Sequence, residues 1–238
     1  MKAVILAGGQ GNRLRPYTSV LPKPLMPIDD RPILDIILHQ LHHHGVTEVV
    51  IALNYLGSLI QSYVDASDIG RKMNIRYHWE KKPLGTAGAI GTIEGLTEPF
   101  FVMNGDLLTT LDYSAMYRAH LADDADLTVG TVSPTVQIEL GVLTIDAGGH
   151  VTGYDEKPKL KYSASMGIYV YSPRILSRIV PGEYLDAPSL VLGLIGDKRK
   201  VLSHGPECRW IDMGNRGEHE RATEEFMENR ALYLPGVV

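Results

Sequence analysis

The sequence predicts an α/β fold in which a mostly parallel central sheet is extended by antiparallel strands. Two observations in the first half of the chain indicate the parallel part: short apolar runs rich in β-branched residues, and helical patterns between them. The runs are continuous rather than alternating, which is typical of strands buried on both faces of a parallel sheet. Strands that alternate with helices in this way indicate βαβ units with right-handed crossovers.

The elements of the first half can be located one by one. The predicted strands are residues 4–6, 49–53, 100–103 and 127–129. The first predicted helix, residues 32–44, begins at a proline and stops before Gly45, as helices between such signals do. Further helical patterns occupy residues 55–65, 87–96, 113–122 and, near the end of the chain, 214–233.

The second half of the chain has a different pattern. Residues 141–146 and 151–155 flank a glycine-rich turn and predict a β-hairpin, and residues 164–171 predict another strand. Residues 173–200 mix short helical patterns with loops. We therefore expect antiparallel strands to extend the parallel core.

Composition and charge exclude several classes of protein. The chain has 238 residues, with 23 Lys and Arg against 28 Asp and Glu, and a net charge of −5. This mild acidity argues against a nucleic-acid partner, whose binding surface would normally be basic. No apolar run approaches the roughly 20 residues of a membrane helix, and the one cysteine cannot form an internal disulfide. We therefore expect a cytoplasmic protein with no membrane partner, folded as a single domain over residues 1–238.

A glycine-rich loop after the first strand, residues 6–16, predicts a site for an anion. Its glycines lack Cβ atoms, so backbone N–H groups can approach phosphate oxygens, and Arg13 and Arg15 add positive charge. The loop lacks the GxxxxGK[ST] pattern of a Walker motif, and Leu14 stands where a dinucleotide fingerprint needs its third glycine. Lys23 follows closely, between two prolines that limit its possible directions. Together these features indicate cations held in fixed positions.

The segment GGQGNRLRPYTSVLPKPLMPI resembles the signature of sugar nucleotidyltransferases, which join a nucleoside triphosphate to a sugar 1-phosphate and release pyrophosphate. Further segments resemble motifs of the same family in the same order, and the match covers about residues 1–225. These segments are 83–88, 104–106, 156–158, 166–169 and 210–214. The closest pattern is the short branch that contains hexose and heptose 1-phosphate guanylyltransferases and N-acetylmuramate 1-phosphate uridylyltransferases.

The resemblance implies a Rossmann-like (GT-A-like) three-layer sandwich, with a nucleotide-binding half at about residues 1–130 and a sugar-phosphate-binding half at about residues 131–238. The residues implied in catalysis are Arg13, Lys23 and Asp106. Those implied in nucleotide binding are Leu6, Ala7, Gly8, Gly9, Gly11, Arg13, Lys23, Gly85, Thr86, Ala87 and Asn104. Those implied in sugar-phosphate binding are Gly141, Glu156, Lys157 and Gly167.

The resemblance also implies a metal cofactor. Asp106 and Asp212 both follow apolar stretches that resemble strand ends, and such ends meet at the binding crevice of an open α/β sheet. Two carboxylate ligands, completed by phosphate oxygens and waters, suit Mg²⁺ better than zinc. The substrates implied are a nucleoside triphosphate and a sugar 1-phosphate, with GTP favoured and uridylyl, cytidylyl or thymidylyl transfer as alternatives.

Two positions depart from the family pattern: Asn12 stands where threonine is commoner, and Met166 where a smaller residue is frequent. Two other functional classes stay open, a metal-dependent glycosyltransferase of similar architecture and a non-catalytic subunit that senses nucleotide sugars. Such glycosyltransferases usually carry a DxD pair, whereas this chain has Asn104-Gly105-Asp106. We expect a monomer or a homodimer, and no C-terminal β-helix with acyltransferase activity.

Overall fold

The computed structural model describes residues 1–237, so residue 238, the last of the predicted domain, lies outside the described part. In chain order, the strands are β1 (Lys2–Leu6), β2 (Pro27–Ile28), β3 (Arg31–Pro32), β4 (Glu48–Leu53), β5 (Asn74–Trp79), β6 (Phe100–Asn104), β7 (Leu107–Thr109), β8 (Leu127–Val132), β9 (Thr135–Gln137), β10 (Gly141–Ile145), β11 (Val151–Glu156), β12 (Lys159–Lys161), β13 (Ala164–Tyr171), β14 (Val201–His204) and β15 (Trp210–Asp212). The α-helices are α1 (Ile33–His43), α2 (Gly57–Ala66), α3 (Asp68–Lys72), α4 (Gly85–Gly88), α5 (Tyr113–Ala122), α6 (Ala187–Gly196) and α7 (Arg216–Tyr233).

Seven strands form the central sheet in the order β14-β8-β13-β6-β1-β4-β5. β1 pairs in parallel with β4 and β6, β4 pairs in parallel with β5, and β8 pairs in parallel with β14. β13 runs antiparallel between β6 and β8. The predicted mostly parallel sheet is therefore confirmed, and its antiparallel strand is inserted among parallel ones rather than added at an edge.

Alternate residues of the central strands face opposite layers of helices. Ile5 and Met103 belong to the core formed with α1, α2, α5 and α7, whereas Val4 and Val102 belong to the core formed with α4 and α6. Both faces of these strands are buried, which explains why their sequences are continuous apolar runs. The result is the predicted three-layer arrangement of helices, sheet and helices.

One predicted helix is shorter than expected. The sequence pattern suggests a helix over residues 87–96, but the structure has the short α4 and a 3₁₀ turn at Ala89–Thr92. Gly88 and Gly91 weaken helix propensity, and both lie against residues 179–183 so closely that a Cβ atom would clash. Tertiary packing of this segment therefore prevails over its helical periodicity.

The sheet's two edge strands, β5 and β14, are absent from the predicted set. β5 has the sequence NIRYHW, in which polar residues interrupt the apolar ones because an edge strand is only partly covered. The predicted hairpin is confirmed as β10 and β11, but it forms a separate two-stranded sheet. No helix within residues 1–237 combines the length and apolarity that crossing a membrane requires.

Candidate active site

A cavity of about 520 Å³ opens at the carboxyl ends of four neighbouring parallel strands. Leu6, Asn54, Glu80 and Asn104 line it, and these residues end or directly follow β1, β4, β5 and β6. This is the edge at which open α/β sheets bind their ligands, because the loops there diverge and leave a crevice. The predicted site residues that line the cavity are Leu6, Ala7, Gly8, Gly9, Gly11, Arg13, Lys23, Gly85, Thr86, Asn104 and Asp106.

The glycine-rich loop forms one wall of the cavity. The backbone N–H groups of Gly8, Gly9 and Gly11 donate to no acceptor within residues 1–237, so they remain available to an anion. Gly11 has a φ of +61°, and a Cβ atom there would lie 2.9 Å from Cγ2 of Thr18. The Thr18 hydroxyl donates to the Gly11 carbonyl over 2.8 Å and holds the turn in place. The loop therefore has the open, left-handed geometry that a backbone phosphate site needs.

A cluster of one cation and two carboxylates lies beside the glycine-rich loop, and Lys23 and Asp106 of this cluster line the cavity. The Lys23 ammonium donates to Asp106 and lies 3.8 Å from Oδ1 of Asp212. Asp106 Oδ1 is buried and has no hydrogen-bond partner within the described residues. Burial, and then the charge of Asp106, raise the pKa of Asp212. Two carboxylates that repel one another, one with an unused oxygen, form a set to which a divalent cation can bind.

Strand pairing explains why acids so distant in sequence lie side by side. β15 runs antiparallel to β7, which pairs Asp212 with Leu107, the residue after Asp106. The Met213 N–H also donates to the Asp106 carbonyl over 3.3 Å. No group of three or more potential ligands of the His, Cys, Asp and Glu types occurs in residues 1–237. The chain can therefore supply two carboxylates here, and substrate oxygens or waters would complete the coordination.

Another wall of the cavity is the loop that contains Gly85 and Thr86. Residues 183–187 brace this loop from outside: Leu185 donates to the Leu84 carbonyl over 2.8 Å and accepts from Ala87 and Gly88. The Ala187 N–H donates to Thr86 Oγ1 over 2.8 Å. Ala87 is fully buried behind the loop and does not line the cavity. Of the predicted trio, Gly85 and Thr86 face the cavity, while Ala87 supports them.

Two cavity residues, Asn54 and Glu80, lie outside every segment that the sequence analysis identified as a motif. Glu80 directly follows β5, and Asn54 follows β4 and donates from Nδ2 to the Glu80 carbonyl over 3.0 Å. Burial raises the pKa of Glu80. A Cβ atom on Gly8 would lie 3.1 Å from Oε1 of Glu80, so this carboxylate reaches across to the glycine-rich loop. Recognition of β5 as a parallel strand would have revealed Glu80 by its position at the strand end.

The predicted sugar-phosphate residues lie apart from the cavity lining, with one partial exception. Gly141 pairs with Glu156 in the exposed β10–β11 hairpin, and Lys157 follows with a φ of +47°. The Tyr154 hydroxyl covers Gly141 and donates to Glu156 over 2.8 Å. Gly167, with a φ of +72°, lies against the Asn104 side chain and so touches the cavity wall from behind. The structure therefore brings Gly167 to the site but leaves the hairpin residues outside it.

The comparison with known proteins agrees with this geometry. The family described as Nucleotidyl transferase matches residues 2–228. The chain belongs to this family. The resemblance to sugar nucleotidyltransferases that the glycine-rich loop suggested is thereby confirmed.

Several relatives of this chain are named for the transfer of a nucleotide to a sugar 1-phosphate. Mannose-1-phosphate guanyltransferase beta-B of Xenopus laevis is 34% identical over 250 residues, covering 100% of this chain and 66% of that protein. The UTP–glucose-1-phosphate uridylyltransferase of Synechocystis is 29% identical and is covered to the same 66%. The chain thus spans just under two thirds of the length of these relatives.

Solved structures show the same fold. HddC from Yersinia pseudotuberculosis complexed with GMP-PN has a TM-score of 0.72 and 28% identity, covering 94% of this chain and 99% of that one. A putative glucose-1-phosphate thymidylyltransferase from Bacillus anthracis has a TM-score of 0.74 at 22% identity, with 100% of this chain and 97% of that chain covered. The second likeness bears on the fold alone.

Proposed function

We propose that this chain transfers a nucleoside monophosphate from a nucleoside triphosphate to a sugar 1-phosphate, giving an NDP-sugar and pyrophosphate. The observation that supports this most is the meeting of the unpaired glycine N–H groups with Lys23, Asp106 and Asp212 at one sheet edge. A phosphate oxygen of the sugar attacks the α-phosphorus, the α–β anhydride bond breaks, and pyrophosphate leaves with the electron pair. The attacking oxygen is already anionic, so the reaction needs little proton transfer.

The demand on such a site is electrostatic. Two anions must approach one another, and charge must be neutralised on the departing pyrophosphate. The glycine-rich loop supplies backbone donors, Lys23 a buried ammonium, and Arg13 a guanidinium that keeps its charge and matches phosphate geometry. Arg13 lies beside Gly214, with Nη1 3.1 Å from the position of a Cβ there, so it borders the segment that carries Asp212.

The acids fit a divalent metal, and we propose Mg²⁺. Asp106 would use its unpartnered Oδ1 together with a carboxylate oxygen of Asp212. Hard oxygen donors, with the remaining positions filled by phosphate or water, are the set that Mg²⁺ prefers. Such an ion would neutralise phosphate charge when bound. The single cysteine and the triphosphate substrate suit the cytoplasm, where we expect the chain to act.

We further propose that Glu80 selects guanine. Its half-buried carboxylate borders the cavity next to the Gly85 and Thr86 loop. Guanine presents two adjacent N–H donors, at N1 and N2, that a carboxylate can accept together. Uracil and thymine present one N–H between two carbonyl oxygens, whose lone pairs a carboxylate repels. The guanyltransferase names among the relatives and the GMP-PN complex of HddC support the same base.

For the sugar we propose a hexose or heptose 1-phosphate, held by Glu156, Lys157 and the glycines Gly141 and Gly167. The hairpin residues would have to approach the cavity when the sugar phosphate binds, because they do not line it now. The segment Glu156-Lys157-Pro158, which resembles the sugar-phosphate motif of the family, supports this assignment.

The testing experiment crosses GTP, UTP, CTP, TTP and ATP with a panel of sugar 1-phosphates and measures pyrophosphate release with Mg²⁺. Release that requires both a triphosphate and a sugar 1-phosphate supports the proposal. Hydrolysis of a sugar nucleotide would support a glycosyltransferase instead, and binding without turnover would support a sensing subunit. Replacement of Mg²⁺ by Ca²⁺ or chelator tests the metal separately.

The base assignment has its own test. Glu80→Gln retains shape but replaces one accepting oxygen with a donor, so we expect kcat/KM for GTP to fall about 10- to 100-fold. The ratio of GTP to UTP turnover should fall with it. Glu98→Gln, an exposed acid outside the cavity, is the matched control. An unchanged base ratio in Glu80→Gln would contradict the assignment without affecting the proposed reaction.

A further inference from the structure

Helix α6 lies on the molecular surface and yet contains no charged residue. Its sequence is APSLVLGLIG, and its inner face packs Ala187, Leu190 and Leu194 into the core. On the outer face Leu192 is 69% exposed and Ile195 56% exposed. A helix that is apolar all round is normally buried on all sides. The rest of the chain therefore covers only the inner face of α6, and the apolar outer face is open.

Two more exposed apolar side chains lie in the segment just before α6. Val180 is 54% and Tyr184 is 69% exposed, and with Leu192, Gly193 and Ile195 they form what we call the α6 face. A Cβ atom on Gly193 would meet nothing within 4 Å, so the backbone here is open to close approach. Isolated exposed apolar side chains are common, but Leu192 and Ile195 lie three residues apart on one face of an uncharged helix, next to open helical backbone, which is typical of an interface.

The charges that flank α6 have opposite signs at its two ends. Glu183 and Asp186 lie at the amino end, and Lys198 follows the carboxyl end. Asp197 is paired with Arg178, and Arg199 with Asp126. Glu183 and Lys198 have no ion-pair partner within residues 1–237, so an acid and a base remain unpaired at opposite ends.

We propose that the α6 face binds a second copy of this chain, with the two α6 helices antiparallel across a twofold axis. A twofold interface places the same patch against itself, so it must be self-complementary. An antiparallel pair meets this condition, because Leu192 and Ile195 pack together at the centre while Glu183 of one copy approaches Lys198 of the other. Since the patch itself is uncharged, no like charges are brought together at its centre.

This interface would adjoin the candidate active site. The first residue of α6, Ala187, donates to Thr86 Oγ1, and the neighbouring Leu185 bonds the loop that lines the cavity. A partner packed on α6 would thus hold the segment that braces this loop. The inference goes beyond the proposed reaction and does not depend on it.

Sedimentation velocity and light scattering on a dilution series of the full chain test the proposal. We expect the wild type to show twice the chain mass of 26.2 kDa, and Leu192→Glu to show the single mass. Leu121→Glu is the matched control, because Leu121 is 50% exposed on α5, which has the same ten-residue length as α6. Circular dichroism shows whether each variant retains its fold.

The charge pair provides a second test that leaves the apolar contact unchanged. Lys198→Glu and Glu183→Lys should each raise the dimer dissociation constant about tenfold, since two symmetric pairs become repulsive. The double variant should return it near the wild-type value. A monomeric wild type, a dimeric Leu192→Glu, dissociation by Leu121→Glu or failure of the double variant to recover would each overturn the proposed interface.

Discussion

At the scale of single residues, Lys23 and Asp106 constrain one another. The ammonium occupies one oxygen of Asp106 and approaches Asp212, while the second oxygen of Asp106 remains buried and unpaired. An unpaired buried oxygen is costly unless something binds it. Under the proposed function, this one contact would offer a lysine to phosphate and a free oxygen to a cation.

Asp106→Asn should reduce turnover without unfolding the chain. The amide has the same shape as the carboxylate but loses the charge that would bind a cation and that pairs with Lys23. We expect steady-state pyrophosphate release to fall about 100-fold or more, with the melting temperature changed by only a few degrees. Asp123→Asn, an exposed acid near Lys200, is the control. Near-normal rates for Asp106→Asn with Mg²⁺ present would refute its role.

A pair of glycines in the same loop allows a clean comparison of backbone geometry. Gly11 has a positive φ and a close neighbour in Thr18, whereas a Cβ on Gly9 would meet nothing within 4 Å. We expect Gly11→Ala to lower the free energy of unfolding by about 1–2 kcal/mol, through left-handed strain and contact with Thr18. Gly9→Ala should change it by less than about 0.5 kcal/mol. Urea titration of both variants measures the difference, and equal losses would contradict the strain argument.

At the scale of elements, α7 connects the candidate metal segment to the core. It starts four residues after Asp212, and the Asn215 side chain accepts from the Glu218 N–H over 3.0 Å at its first turn. Further along, Ala222, Phe226 and Tyr233 are buried. The cap therefore lies between the carboxylate and the packed part of the helix.

Asn215→Ala should destabilise the chain by about 1 kcal/mol, because it leaves the Glu218 N–H without its acceptor. Asn215→Asp retains an accepting oxygen and should come close to the wild-type stability. Thermal and urea unfolding of both variants measures the effect. Equal destabilisation by both substitutions would mean that the cap does not act through this hydrogen bond.

The strands and helices also show which parts of the fold and of the site the sequence could predict. The buried strands were recognisable because β1, β4 and β6 are apolar on both faces, and α1 because proline and glycine bound it. The edge strand β5 was not, since half of its side chains meet solvent and its pattern resembles a loop. Glu80 is absent from the predicted site for the same reason, because it directly follows β5. The two acids were identified by motif, but their contact depends on the β7–β15 pairing, a long-range event without a local signal.

At the scale of the whole molecule, the net charge of −5 coexists with a cavity that is lined by Arg13 and Lys23 and suits polyanions. Other charged and titratable groups determine how the fold responds to acid. Burial lowers the pKa of His39, His44, His78 and His204, and it lowers that of His120 to about 4. These histidines must gain protons if the chain unfolds at mildly acidic pH.

His120 is the strongest case and predicts how stability varies with pH. Ser172 donates to the Ala125 carbonyl, so it accepts from His120 Nε2–H, and Nδ1 accepts from the Thr128 hydroxyl over 2.8 Å. The neutral ring is thus fully paired, and burial followed by the charge of Arg174 keeps its pKa at about 4 instead of 6.5.

Because the pKa of His120 is lower in the folded state than in the unfolded state, the neutral ring contributes to the free energy of unfolding. That contribution is fully present above about pH 6.5, and about 3 kcal/mol of it is lost as the pH falls toward about 4. We therefore expect the free energy of unfolding, measured by urea titration, to decline between about pH 7 and pH 5. His120→Gln cannot take up the proton, so its decline should be shallower even though its stability at neutral pH is lower. His43→Gln, at a solvent-exposed position of α1, is the matched control. Parallel curves for wild type and His120→Gln would show that the acid sensitivity arises elsewhere.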